Sequence, residues 1–347
     1  MGQNVEVVPF FKYLGCFLSS GGSFAKCIQE LTNSARRALF SLKKYFSKND
    51  ELLTSMKLNL FNSMVSPILF YCSEVWGCRR ADPIEKFHLY FLKNVLNVKT
   101  STPNCFVYGE LGVFPLYIER QVRVIKFWLK VIGMQENYNN SFLYKVYLEL
   151  LNTTITHPRE VTWATLVRDM LNRSGFGDVW LAQRVVNKDS FIVEFQRRIK
   201  DMYLQEWEAK VRESSTGRLF RYIKQGFKFE AYLDNLKKAQ RISLTRIRLS
   251  SHIFNIEKGR WASAGGGDRV NRGNRLCTQC SVVECEYHCL VQCPRYVNER
   301  EGRLPVRLRE RPCMYEFLRF MMDESGENVR NLGSLCLAVQ IEHRKYV

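Results

Sequence analysis

The chain has 347 residues, 46% of them hydrophobic and 13% aromatic, which is enough apolar matter for two or three cores. Its 52 Lys and Arg against 34 Asp and Glu leave a net charge of +18, which favours a polyanionic partner, nucleic acid first. No apolar run is long enough to span a bilayer and no secretory leader is evident. The expectation is an intracellular protein, nuclear rather than cytoplasmic, with no membrane partner.

The charge is not confined to one tail. Met1 to Val131 holds 17 basic and 9 acidic residues, and Arg241 to Arg311 holds 14 and 7, with a more neutral stretch between. Two separate anion-binding surfaces are therefore expected.

In chain order, Val5 to Ser19 alternates aromatic and aliphatic residues around Gly15 and ends in Ser-Ser-Gly-Gly, predicting a strand or hairpin. Two short strands are not stable alone, so this piece needs a partner. Phe24, Ile28, Leu31, Ala35, Leu39, Leu42 and Phe46 then recur at helical spacing, with Arg36, Arg37, Lys43 and Lys44 away from the centre of that stripe. One face is built to pack and the other to meet anions.

A second helix is expected from an N-cap near Asn49-Asp50, with Pro67 kinking or ending it. Asp82-Pro83 opens a third, which Thr102-Pro103 breaks. Gly109 to Pro115 reads as a turn and Leu116 to Ile132 as a helix. Helices separated by polar turns follow to Lys238, at Asn137–Asn140, Thr153–Pro158, Ser174–Asp178 and Ser214–Gly217. Trp163, Trp180 and Trp207 there are expected in the core. Ser243 to Arg260 is a basic helix candidate with Arg246, Arg248 and His252. Ser263 to Arg275 is a Gly/Arg-rich linker, and Met314–Met322 and Leu332–Ile341 are apolar pieces near the end.

The chemistry-bearing segment lies between Cys277 and Cys293. It reads C-x2-C-x7-H-x4-C, with Cys277, Cys280, His288 and Cys293 as candidate ligands. Four N/S ligands make a closed, structural zinc site, and a segment this short needs its metal to hold together. Cys285 and Cys289 lie inside the loop and are alternatives to His288. Cys289 is its immediate neighbour, which a helical turn would point elsewhere, whereas Cys285 is three residues away and can share its face. The remaining cysteines have no framework spacing, so thiols plus one metal site are expected rather than disulfides. The five histidines show no pairing with a nucleophile signature, and Gly265–Gly267 is a linker rather than a phosphate loop.

Phe11-Lys-Tyr-Leu-Gly15, followed by a helix with Ala35-Arg-Arg-Ala38, resembles the region just after the catalytic palm of non-LTR (LINE-type) retrotransposon reverse transcriptases. In that family such a strand helps hold the primer end and a thumb follows it. Lys57, Pro67, Tyr71, Glu74 and Trp76 match the thumb pattern in order, and Gly109-Glu-Leu-Gly-Val-Phe-Pro115 resembles a turn found further on. Leu244–His252, Gly259-Arg-Trp261 and the cysteine segment resemble the C-terminal zinc knuckle. The matching knuckle positions are Cys277, Cys280, Glu284, Glu286, His288, Cys293, Pro294, Tyr296 and Arg300. The family usually has an acidic and an aromatic residue where Cys285 and Cys289 stand, which implies His288 as the ligand.

The resemblance implies a mainly α fold with a palm-end hairpin at 1–22, a thumb-like domain at 23–132, a helical linker domain at 133–262, the knuckle and its approach at 263–300 and a helical tail at 301–347. It implies contacts to RNA or a primer–template duplex through Arg36, Arg37, Lys43, Lys44, Arg246, Arg248, Arg260 and Arg275, with a palm-bearing reverse transcriptase chain as a further partner. Polymerisation needs paired carboxylates to hold two cations, and the chain contains no Asp-Asp dipeptide. The expectation is a nucleic-acid-binding module that is not an enzyme. The alternatives are a zinc-stabilised protein-interaction module or a transposon remnant without function.

Overall fold

A computed structural model describes residues 8–48, 52–135, 141–157, 159–260 and 270–346. The fold is mainly helical, with one two-stranded antiparallel sheet near the N-terminus. Strand β1 (Phe10–Tyr13) pairs with β2 (Cys16–Ser19), Phe10 opposite Ser19 and Tyr13 opposite Cys16. Leu14 and Gly15 between them both have positive φ, +44° and +89°, which is the two-residue turn whose twist matches the strands. The hairpin buries little of itself: Phe11 and Tyr13 are each 58% exposed and Leu14 74%.

Helix α1 (Ala25–Lys48) buries Ile28, Leu31, Ala35, Leu39 and Leu42 of the expected stripe and adds Cys27, while Phe24, just before it, and Phe46 are half-buried. Helix α2 (Thr54–Met64) is followed by a short turn of helix, Ser66–Leu69, that Pro67 opens. Proline fits the first helical turn, where its missing N–H is not needed, and cannot continue the preceding helix. The Asn49-Asp50 cap lies outside the described residues. The helices Asp82–Leu96 and Leu116–Ile132 fall where the sequence places them. Gly109 to Pro115 differs, because Gly109 to Leu111 close the helix Asn104–Leu111 and only the residues from Gly112 turn. The helix Phe142–Thr156 likewise covers part of the turn expected from Thr153.

The basic helix expected over Ser243–Arg260 is two helices, Lys238–Arg248 and Asn255–Lys258, separated at Ser250, whose φ is +51°. Trp180 and Trp207 are in the core; Trp163 is half-buried and donates to the Glu74 carbonyl at 3.1 Å. The turn expected at Asn137–Asn140 lies outside the described residues, as does most of the Ser263–Arg275 linker.

The chain gathers into two compact units assembled from separated stretches. The first comprises residues 1–45, 59–88 and 114–206, and the second 46–58, 89–113 and 207–347. Of the five segments read from the sequence, 1–22 lies in the first unit and 263–300 and 301–347 lie in the second, while 23–132 and 133–262 each contribute to both.

The first unit holds α1 as far as Tyr45, the hairpin and a core in which Trp128 stacks on Trp180 at 6.0 Å and donates to the Tyr147 hydroxyl at 2.9 Å. Tyr71 donates to the Leu14 carbonyl and so ties down the hairpin turn, while the indole N–H of Trp76 bonds the Tyr71 carbonyl at 3.0 Å. In the second unit the helix Lys238–Arg248 packs along the last long helix, Gly326–His343. No helix among the described residues is long and apolar enough to cross a membrane.

Candidate metal centre and nucleic-acid interface

The CxxC turn forms at the tip of a small antiparallel loop in the second unit. Leu276 bridges Val283, the Cys277 N–H bonds the Val282 carbonyl at 2.7 Å, and Ser281 takes φ +55° to turn the chain. The returning segment is a π turn over His288–Gln292, closed by the Cys293 N–H on the His288 carbonyl at 2.7 Å. In an α-helix residues five apart point about 140° away from each other. The wider i→i+5 turn brings His288 and Cys293 toward one side. Backbone geometry that spacing rules do not supply therefore completes the ligand set.

The Sγ atoms of Cys277, Cys280 and Cys293 and a ring nitrogen of His288 all lie within 4.8 Å of one another. Cys293 Sγ is 3.9 Å from Cys277 Sγ and 3.7 Å from Cys280 Sγ. Sulfurs at the corners of a tetrahedron with metal–sulfur bonds of about 2.3 Å lie about 3.8 Å apart. Cys285 and Cys289 are not among the gathered atoms. The cluster can hold a metal ion with the four residues that the sequence singles out.

Its electrostatics match that reading. Burial pushes the Cys293 thiol up to about 12, so its thiolate needs a cation beside it. Burial, with Arg300 and Arg295 nearby, holds the His288 ring below the usual range and hence neutral, the form that ligates. Among the described residues, His288 Nε2 is buried with no hydrogen-bond partner, which a metal would satisfy. The Arg300 side chain is also buried; it donates to the carbonyls of Leu290 at 3.0 Å, Cys289 at 3.3 Å and Cys293. Those acceptors are neutral. Three thiolates and a neutral histidine around a divalent ion sum to one negative charge, which fits the buried guanidinium.

The acidic residues of this loop are anchors. Glu284, 1% exposed, accepts from the Asn255 backbone N–H at 2.7 Å and lies 3.9 Å from His343, which in turn meets the Tyr296 hydroxyl at 2.7 Å. Glu286 pairs with His252 at 3.0 Å. The metal loop is thus tied at two points to the segment after Arg248 and at a third to the last helix.

The candidate nucleic-acid contacts divide sharply. Arg36, Arg37 and Lys44 are exposed on α1 and Lys43 is half-buried. Arg37 donates to Ser34 Oγ at 2.8 Å, and Lys44 lies over the exposed Phe40 ring at 5.1 Å. Among its 24 residues α1 carries six basic side chains and one acid, Glu30.

Arg248 requires a correction. It is 3% exposed and bonds Glu110 at 2.5 Å and Glu230 at 3.1 Å, so it presents nothing to a phosphate. Burial alone would lower its pKa, but Glu110, Tyr232 and Glu230 raise it above the ordinary arginine value. The sequence hides this because its carboxylates lie 138 and 18 positions away, on other elements.

The remaining three candidates are half-buried and occupied. Arg246 donates to the Asn97 carbonyl at 3.0 Å and its Oδ1 at 2.7 Å. Arg260 pairs with Glu257 at 3.1 Å, and Arg275 donates to the carbonyls of Ile256 at 2.7 Å and Val270 at 3.0 Å.

The residues that sequence reasoning missed are Glu110 and Gly109. Glu110 is fully buried and also accepts from the Tyr232 hydroxyl at 2.7 Å. A Cβ on Gly109 would come within 2.6 Å of the Trp207 ring, so the helix can approach that ring only with glycine there. The signal was present as Gly109-Glu-Leu-Gly112, but its partners are remote in sequence.

No family model matches this chain, and no curated protein or solved structure matches it.

Proposed function

We propose that the chain is a zinc-bearing, non-catalytic nucleic-acid-binding module, equivalent to the region beyond the palm of a non-LTR retrotransposon reverse transcriptase. The observation that carries it is α1, a long amphipathic helix with one face packed and Arg36, Arg37 and Lys44 exposed on the other. Such a helix can track a nucleic-acid backbone, positioning without reading sequence. The net charge of +18 and the ordered motifs support the same reading. Zinc suits the Cys3His donor set and the sulfur spacings, and its role is structural because all four positions are filled by protein. The partner is RNA or a primer–template duplex, in the nucleus. With no Asp-Asp pair the chain does not polymerise, and primer extension by homogeneous protein would refute this part.

The test of binding is an anisotropy titration against duplex, hybrid and single-stranded ligands at two salt concentrations. Affinity is expected to fall steeply with salt as counterions are released. Reversal of Arg36, Arg37, Lys43 and Lys44 to Glu is expected to weaken every ligand by a similar factor. A flat salt response with no binding in the micromolar range would end the proposal.

One observation favours a second reading, a protein-interaction module. Phe11, Tyr13 and Leu14 leave the hairpin with an uncovered apolar surface that another sheet, such as that of a palm-bearing chain, would bury. A protein partner lost on changing Phe11 and Tyr13, with nucleic-acid affinity at background, would select it.

A further inference from the structure

A second group of cysteines lies in the first unit, and nothing in the nucleic-acid reading uses it. Cys16 on β2 and Cys27 on α1 are eleven residues apart and both buried, 7% and 1% exposed. Their Sγ atoms are 3.1 Å apart, inside ordinary sulfur contact and about 1 Å from bonding distance. Cys72 is half-buried and lies near enough to Cys16 that each bears on the other's titration. Its φ of +54°, in the left-handed region that non-glycine residues rarely adopt, sets its place just after Tyr71, the residue that holds the hairpin turn. All three cysteines are free thiols, and they are not drawn together as the four ligand atoms near Cys277 are. A pair in contact with a third thiol toward solvent suits thiol–disulfide chemistry better than ion binding.

We propose that Cys16, Cys27 and Cys72 are an oxidation site at which Cys16 and Cys27 close to a reversible disulfide, fastening the hairpin to α1, with Cys72 as the entry point for the oxidant. With hydrogen peroxide, the Cys72 sulfur attacks the O–O bond, giving a sulfenic acid and water. The Cys16 thiol then displaces the sulfenic oxygen as a second water and forms a Cys16–Cys72 disulfide. The Cys27 thiol attacks the Cys16 sulfur, and Cys72 leaves as a thiol. The sum is two thiols and one peroxide to one disulfide and two waters. Burial pushes the Cys16 thiol up to about 12 and raises that of Cys72, so the group answers to sustained oxidant and not to traces.

The experiment treats the full metal-loaded chain with hydrogen peroxide until the exposed, solitary Cys313 is oxidised, then alkylates under denaturing conditions and maps the peptides. The expected result is a Cys16–Cys27 cross-linked peptide that a dithiol reductant returns to two alkylated cysteines. Slower amide exchange over Phe10–Ser19 is expected in the oxidised form. Cys72→Ser is expected to slow the closure at least several-fold while Cys313 reacts unchanged. Separate alkylation of Cys16 and Cys27 in the wild type at that dose overturns the proposal and needs no variant to fold. Closure at the wild-type rate in Cys72→Ser overturns the entry role, and unchanged exchange overturns the fastening. A second metal equivalent, kept by Cys277→Ser and lost by Cys16→Ser, would overturn the site in favour of ion binding.

Discussion

Arg36 and Arg37 on α1, and Arg246, Arg248, Arg260 and Arg275 beside the metal loop, look alike in the sequence, as arginines in the two most basic stretches. In the structure the first pair faces solvent from a helix with a single acid, while the second group is spent on the protein itself. Arg248 shares Glu110 and Glu230 with Lys224, Arg260 answers Glu257, and Arg246 and Arg275 bond Asn97 and backbone carbonyls. Net charge therefore does not locate an interface. What separates the groups is whether a carboxylate or carbonyl arrives from another element. Under the proposed function, the comparison assigns the contact surface to α1 and leaves Arg246, Arg248, Arg260 and Arg275 to the scaffold around the metal loop.

The largest effect expected is loss of the metal. Cys277→Ser, or chelation, is expected to release one equivalent and to unfold the loop from Leu276 to Arg300. Zinc in small structural sites contributes on the order of 10 kcal/mol to folding. The first unit should melt as before. Metal analysis with thermal denaturation checks this, and retention of metal by His288→Ala with loss in Cys285→Ser would reassign the fourth ligand.

Next comes the buried cation. Arg248→Met leaves Glu110 buried with part of its neutralisation gone and is expected to cost roughly 3 to 5 kcal/mol, the range for breaking a buried pair from one side. Arg37→Met, exposed, should change stability by about 0.5 kcal/mol or less. Urea denaturation of both variants tests the comparison directly, and equal effects would break it.

His88 shows what burial alone does to a base. Burial pushes it down to about 3, and it stacks on Phe61 at 5.4 Å. Its folded pKa lies below the unfolded value near 6.5. Below that pH the unfolded chain binds the extra proton, so stability is full above about 6.5 and is lost as pH falls toward 3. His88→Leu should flatten that part of the profile, measured by denaturation at pH 7 and pH 4. An unchanged slope would show that another group is responsible.

How far the sequence reaches follows from range. Most of the α1 stripe, the helix boundary before Pro67, the helix Leu116–Ile132 and the four clustered candidate ligands were legible because their information is local: a period, a proline, a spacing. The preference for His288 over Cys285 was also legible, through the resemblance. The π turn that brings His288 toward Cys293 was not, because it depends on how the loop is anchored through Glu284, Glu286 and Arg300. The burial of Arg248 was not, because Glu110 lies 138 positions away. Gly109 looks like a turn residue in the sequence and is a helical residue under the Trp207 ring.

A smaller expected effect sits on Arg300. Arg300→Met should weaken metal binding about 10- to 100-fold, the usual cost of losing a residue that orients ligands and balances their charge. Arg300→Lys should fall between, keeping the charge without the fork that reaches three carbonyls. Chelator competition reads both. If the methionine variant competes like the wild type, the guanidinium does not balance the cluster and merely fills space.

The smallest effect is the one most specific to the comparison. A single neutralisation on α1, Arg37→Gln, should weaken every nucleic-acid ligand by a few-fold and lower the slope of log K against log salt by about one, as expected when one phosphate contact is lost. The exposed Arg37 guanidinium bonds Ser34 Oγ, a neighbour on its own helix, so stability should not move. Arg275→Gln should do the reverse: the salt slope stays, while the loop loses the two carbonyls that this side chain holds and becomes easier to strip of metal. Anisotropy at several salt concentrations and chelator competition on the same two proteins give four numbers. If Arg275→Gln lowers the salt slope and Arg37→Gln does not, the assignment of interface and scaffold is inverted, and the anion-binding surface belongs to the metal loop instead of α1.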